Sequence, residues 1–209
     1  ITRIAAATIE NLSEQMKHGK FKAESYEVRF SSADEDTFTY DIDENAVLKL
    51  TGRMDRLDVY EDDEKVLYKV IDYKSGKPSF SLQKLYYGLN MQLVVYLMAA
   101  EGIEKKMHPD KLVIPAGTFY YYIDDPIVDE EMTDDETKIA TKLRKKHRME
   151  GVANKDKHIP CYIDHNLGDV ENGLTAGADS DVISAKVTSK GTFGANSSLY
   201  KTEQFDYMM

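Results

Sequence analysis

Between Val47 and Tyr73 the chain reads as two long extended runs, VLKLTGRMDRLDVY and KVLYKVIDY, joined by the acidic turn EDDE. β-Branched and aromatic residues recur in both, and a four-residue turn between such runs predicts an antiparallel hairpin. A hairpin this long in the middle of the chain commits the fold to a sheet. It also fixes where three charged residues lie. Asp55 falls on the first strand, and Asp72 and Lys74 fall at the end of the second.

The rest of the pattern supplies the layers around that sheet. Ile4, Ala7, Thr8, Leu12 and Met16 recur at helical spacing, predicting a helix over residues 4–17 that ends near Gly19. Alternation of Tyr26, Val28 and Phe30 predicts a strand from Phe21 to Phe30, followed by an acidic, turn-rich loop with room for a short strand. Leu82, Leu85, Tyr86, Leu89, Leu93, Tyr96 and Leu97 share one broad face of a helix predicted over Ser81 to Ala100 and stopped at Gly102. Leu112 to Ile123 reads as another strand. Residues 133–150 read as a charged helix, acidic first and basic last, with a Thr133–Glu136 capping box. Beyond Gly151 the signal weakens to a strand over Asp179–Val187 and a terminal helix over Lys201–Met209. The order α-β-β-β-α-β predicts an α/β fold with a mixed central sheet flanked by helices.

Its 209 residues suit a single domain spanning 1–209, with 151–209 as a C-terminal extension. The longest apolar run, Leu93 to Ala100, is far short of the roughly 20 residues that cross a bilayer. With no signal peptide and a lone Cys161, the expected setting is the cytoplasm, away from membranes. Ile1 opens directly into a helical pattern, which reads as a fragment of a longer polypeptide. A formal charge of −10 argues against a protein that grips nucleic acid over its whole surface. It leaves room for a metal site, which needs clustered carboxylates.

Alternate residues of a strand share a face, so Asp72 and Lys74 project together while Tyr73 turns away and offers its carbonyl. The EDDE turn sets Asp55 roughly opposite 70–72, within bridging distance of one ion shared with Asp72. Two bare carboxylates so placed would raise each other's pKa, a cost that a divalent cation removes. Hard oxygen ligands from Asp55, Asp72 and the Tyr73 carbonyl suit Mg²⁺ or Mn²⁺ rather than Zn²⁺. Such an ion would polarise a phosphodiester and acidify a bound water. Lys74 would orient or deprotonate that water, or stabilise transition-state charge. Gln92 and Tyr96, four residues apart on the long helix, share a face from which an amide and a phenol reach the water or a phosphate.

The run G-R-M-D-R-L-D, then I-D-Y-K-S-G, then G-L-N-M-Q-L-x-x-Y resembles the RecB-like branch of the PD-(D/E)XK nucleases. Within that branch it is most similar to the nuclease domain of the B subunit of AddAB-type ATP-dependent helicase–deoxyribonucleases. The resemblance assigns Asp55 and Asp72 as metal aspartates, Lys74 as the catalytic lysine, and Gln92 and Tyr96 as the Q-x-x-x-Y motif. It implies a restriction-endonuclease-like core, DNA as substrate, an AddA-type helicase–nuclease partner subunit, and exonucleolytic processing of double-strand ends for recombinational repair. Two features of the branch are missing. His18 does not match the branch's histidine, which is expected upstream. With Cys161 alone, an iron–sulfur cluster is excluded from this chain and left to the full-length subunit. The alternative is a catalytically silent nuclease-fold scaffold or DNA-binding module within a repair complex.

Other polar residues read more plainly. Arg56 and Asp58 fit a structural ion pair, Glu27 a surface strand position, and Tyr120 to Tyr122 strand packing. His158, Cys161 and His165 match no standard zinc spacing. His147 fits a helix C-terminus, within a basic cluster that could meet phosphates.

Overall fold

In the computed structural model, residues 2–31, 38–76, 80–89, 91–124 and 135–209 are described. The predicted hairpin forms from β4 (Thr51–Glu61) and β5 (Lys65–Lys74), paired in the register Arg56↔Ile71 to Glu61↔Val66. At the turn, the Asp62 carboxylate accepts hydrogen bonds from the Glu64 and Lys65 amides and so fixes that register. Around the hairpin stands a six-stranded mixed sheet. β1 (Lys22–Ser31) runs antiparallel to β4, and β6 (Leu112–Tyr122) runs parallel to β5. β7 (Glu150–Asn154) is antiparallel to β6, and the short β10 (Leu199–Tyr200) closes the far edge parallel to β7. The α/β expectation with a mixed sheet holds.

Two apolar clusters cover the two faces of β5, and its residues divide between them by parity. Val66, Tyr68 and Val70 face α3 (Gln92–Met107), while Leu67 and Ile71 face the opposite side. On that side lie α1 (Thr2–Lys17), α5 (Ile159–Ile163) and the C-terminal loops. A centrally buried strand with both faces covered is expected where a parallel pair forms.

Several element boundaries depart from the sequence reading. The predicted helix over Ser81–Ala100 is two helices, α2 (Leu82–Tyr86) and α3, and Gly102 lies inside α3 rather than stopping it. The break is a Schellman turn. Gly88 takes φ +72, its amide bonds the Leu85 carbonyl, and the Leu89 amide bonds the Lys84 carbonyl. Periodicity ran through the break because the apolar residues on both sides keep compatible spacing. The predicted strand over Val47–Tyr60 divides at Leu50. β3 (Ala46–Lys49) leaves the sheet to pair with β2 (Thr39–Asp43), the short strand foreseen in the acidic loop.

The charged helix is α4 (Glu136–Lys146), shorter than 133–150 because Glu150 opens β7. Its N-cap is Asp135, whose carboxylate accepts from the Lys138 amide, whereas Thr133 lies outside the described residues. His147 is the buried C-cap, as its position suggested. Asp179–Val187 forms isolated bridges rather than a strand, because Ser180 and Asp181 turn inward to bond the Asp164 carboxylate. The terminal helix is α6 (Thr202–Asp206), which plants the fully buried Phe205 in the α3-side cluster. Between these lie β8 (Gly168–Asp169) and β9 (Gly173–Leu174), a small separate pair.

Candidate active site

The charged ends of β4 and β5 meet the first turn of α3. On β5, Asp72 and Lys74 both point toward that helix, and the Lys74 ammonium sits 2.5 Å from Asp72 Oδ2. That oxygen is buried, and the Lys74 ammonium is its charged partner. Gln92, the first residue of α3, joins the rest. Its Oε1 accepts from Lys74 Nζ at 2.9 Å, and its Nε2 donates to Asp72 Oδ1 at 3.1 Å and to the Tyr96 hydroxyl at 2.8 Å. The break at Gly88 makes this possible, because it starts a new helix directly over the end of β5.

Asp55 reaches the site by a local fault in β4. Met54 and Leu57 both enter the α3-side cluster, so strict alternation slips between them. Across the ladder stands Glu27, with φ 53, between the pairs Tyr26↔Arg56 and Val28↔Met54. Positive φ is uncommon for a residue with a side chain. Beyond the last ladder pair, Arg56↔Ile71, Asp55 Oδ2 accepts the Tyr73 amide proton at 2.8 Å. Glu27 itself is exposed and paired with Arg53 at 2.8 Å, the surface role expected of it.

Burial pushes the Asp72 carboxyl above its ordinary range. Lys74 opposes that shift, and the nearby Asp55 carboxylate adds to it. A 2% exposed carboxylate with a second carboxylate beside it is a donor set that fits a hard divalent cation. Asp55, Asp72, Lys74, Gln92 and Tyr96 are therefore brought together as one network. Tyr73 turns its ring to the opposite face, where its hydroxyl receives Arg56 Nη1 at 3.4 Å.

That opposite face carries a buried ionic cluster. Asp58 accepts from Arg56 Nε at 2.5 Å and Nη2 at 2.8 Å, and also from Lys69. All three are at least nine-tenths buried, under the C-terminal half of α1. Burial opposes ionisation of Asp58, but the two cations override it and hold the carboxyl below its ordinary range.

Two contributors were not singled out from sequence. Tyr120 was read as packing, yet its ring lies under the Lys74 ammonium, 5.5 Å from the centroid, and the register Asp72↔Tyr120 puts it there. Glu150 closes the far side by accepting the Tyr122 hydroxyl at 2.7 Å and the Phe80 amide at 3.0 Å. The basic stretch at the C-terminal end of α4 is largely matched by acids. Lys145 and Arg148 each lie 2.7 Å from Asp179, and Arg144 lies 3.4 Å from Asp181. Of the His158–Cys161–His165 group, Cys161 is buried in the core with its thiol pushed up to about 11, and His165 stacks on His18 at 5.1 Å.

A family profile described as the PD-(D/E)XK nuclease superfamily matches residues 1–175. The chain is 40% identical over 204 residues to the B subunit of an ATP-dependent helicase/deoxyribonuclease from Lachnoclostridium phytofermentans, covering 98% of this chain and 16% of that protein. It is 34% identical over 206 residues to the protein of the same name from Clostridioides difficile, covering 98% and 17% respectively. The match to the Clostridium acetobutylicum protein of that name is 31% over 210 residues, 100% of this chain and 17% of the relative. The chain thus spans about one sixth of the length of these relatives. Among the described residues, no helix is long and apolar enough to cross a membrane.

Proposed function

The chain belongs to the PD-(D/E)XK nuclease superfamily, and on that premise we propose that it is the Mg²⁺-dependent DNA exonuclease domain of a bacterial ATP-dependent helicase–nuclease. The observation that carries this reading is the single network in which Gln92 links Lys74 to Asp72 while Asp55 holds the Tyr73 amide. A scaffold has no use for a lysine, two carboxylates and an amide converged on one strand end. The domain would span 1–209, work in the cytoplasm on the DNA strands unwound by an AddA-type partner, and process double-strand ends for recombinational repair.

Asp55, Asp72 and the Tyr73 carbonyl would hold the ion, with Mn²⁺ as the natural substitute for Mg²⁺. When bound, it supplies Lewis-acid polarisation of the phosphodiester and a more acidic water. The chain's own residues do the rest. Lys74 presents its ammonium where charge develops on the phosphate, and its pairing with Asp72 and Gln92 fixes the direction of its N–H bonds. Gln92 sets the spacing of Lys74 and Asp72, and Tyr96 holds the Gln92 amide in that orientation. The Asp55–Tyr73 hydrogen bond orients one carboxylate oxygen and leaves the other for the ion.

The test is cleavage of single-stranded DNA with Mg²⁺ or Mn²⁺, wild type beside Lys74→Ala and Asp72→Ala. We expect Lys74→Ala to lose roughly 10²–10⁴-fold in rate while retaining metal binding. Asp72→Ala should lose both. Wild-type metal binding without cleavage would point to a requirement for groups that this chain does not supply, such as those of a partner. Neither binding nor cleavage would leave the scaffold reading.

A further inference from the structure

At the other end of α3 from Gln92 a second polar cluster is built into the α3-side face. Glu104 is fully buried, and among the described residues no N–H or O–H group bonds either of its carboxylate oxygens. Such groups are rare in folded proteins, and each calls for a physical explanation. Two side chains face it. One is Glu24 on β1, which is exposed, and the other is His108, one turn further along α3. His108 Nε2 lies 3.7 Å from Glu104 Oε2 and also has no hydrogen-bond partner among the described residues. One donor atom from each of Glu24, Glu104 and His108 falls within 4.8 Å of the others.

A fourth residue orients the imidazole. His108 Nδ1 lies 3.3 Å from Glu61 Oε1, and Lys111 Nζ holds that same oxygen at 2.7 Å. A proton on Nδ1 directed at Glu61 leaves the Nε2 lone pair aimed at Glu104. That carboxylate–imidazole pairing is how metal-bound histidines have their tautomer and ring orientation fixed.

We propose that Glu24, Glu104 and His108 form a binding site for a divalent transition-metal ion of the zinc type, distinct from the Asp55–Asp72 centre, that ties β1 to α3. One imidazole nitrogen and two carboxylates suit Zn²⁺, whereas Mg²⁺ favours oxygen donors and keeps most of its water. Zinc–ligand distances of about 2.0–2.2 Å put neighbouring donor atoms roughly 3.5 Å apart. The 3.7 Å between His108 and Glu104 is already close to that, and Glu24 is an exposed side chain free to swing in. Glu104 lies roughly 18 Å along the helix axis from Gln92. The ion therefore braces the fold and does not share a phosphate with the nuclease centre.

Calorimetric titration of Zn²⁺ into the 209-residue chain tests this, with wild type, Asp72→Asn, Glu24→Gln and His108→Gln compared. Asp72→Asn should still take up one equivalent of Zn²⁺. Glu24→Gln and His108→Gln should each weaken that uptake at least tenfold, and Glu61→Gln should weaken it about tenfold through the imidazole. X-ray absorption of the Zn²⁺-loaded Asp72→Asn chain should report nitrogen and oxygen donors and no sulfur. Glu24 is on the surface, so Glu24→Gln should fold, and circular dichroism checks that it does. The proposal is overturned by no Zn²⁺ uptake, by equal uptake in wild type, Glu24→Gln and His108→Gln, or by uptake that disappears with Asp72→Asn.

Discussion

Replacing Asp58 by Asn should cost far more than a surface charge would, and the reason is visible in its partners. The carboxylate serves Arg56 through two N–H groups and Lys69 through a third, in a cluster where no member exceeds 7% side-chain exposure. Removing it leaves two buried cations facing each other without an anion. Breaking a buried ion pair from one side costs about 3–5 kcal/mol, because the partner's desolvation is no longer offset. For a chain of this size that corresponds to a fall in Tm of roughly 6–20 °C. Urea unfolding of wild type, Asp58→Asn and the triple variant Arg56→Met/Asp58→Leu/Lys69→Met reads it directly. The triple variant should sit near wild type or above it, since apolar replacements of whole buried ionic clusters are often neutral or stabilising.

The pH dependence is fixed in sign. The folded-state pKa of Asp58 lies below its ordinary value of 3.8, so its contribution is fully present above that value. It is lost as pH falls through the lower, folded-state pKa. A loss below about 1 kcal/mol for Asp58→Asn, the range of exposed pairs, would refute the reasoning.

Three further outcomes follow from other parts of the structure. Gln92→Leu cuts the link between Lys74 and Asp72 without emptying the core, so Mg²⁺-dependent cleavage should fall about 100-fold while the urea midpoint stays close to wild type. Burial, with Glu24 beside it, pushes the Glu104 carboxyl up to about 8 from an ordinary 4.5. In chelator-treated protein, wild-type stability should therefore fall as pH rises from 4.5 to about 8, while Glu104→Gln escapes that loss and gains a Tm advantage that grows across the same window. A constant difference between the two melting curves would contradict this. Phe205→Ala should cost about 3–5 kcal/mol in one cooperative transition, because Phe205 is fully buried in the α3-side cluster. A separate early transition for the C-terminal segment would argue against one domain over 1–209.

The convergence of Asp72 and Lys74 was legible because strand alternation and turn position are short-range rules, whereas Asp55 joins them through the slip in β4, which alternation does not foresee. Gln92 and Tyr96 were legible as a pair four apart, although the helix they open begins where no periodicity marked a start. The break at Gly88 depends on a left-handed residue that an apolar stripe cannot reveal. Tyr120 entered the site through parallel pairing of β6 with β5, a contact set by the crossover rather than by any local pattern. Glu104 and His108 have helical i, i+4 spacing in plain view, but their meaning depends on Glu24, some eighty residues away and on another element. After Gly151 the chain is held by side chains such as Asp164 and Ser180 bonding loop amides, which leave no period to read.

The division of β5 by parity has a consequence for how such a chain can change. Asp72 and Lys74 serve the α3 face, while Lys69, Ile71 and Tyr73 serve the other, within six consecutive residues. A single inserted residue between Lys69 and Asp72 would flip the residues after it, sending Asp72 and Lys74 into the apolar layer and the Tyr73 ring toward α3. Substitutions here can be graded, but a one-residue change in length cannot. A two-residue insertion would restore the faces yet carry Asp72 roughly 6.6 Å past Gln92. Drift in this strand should therefore run through side-chain identity alone, with changes in length confined to the turns and loops at its ends.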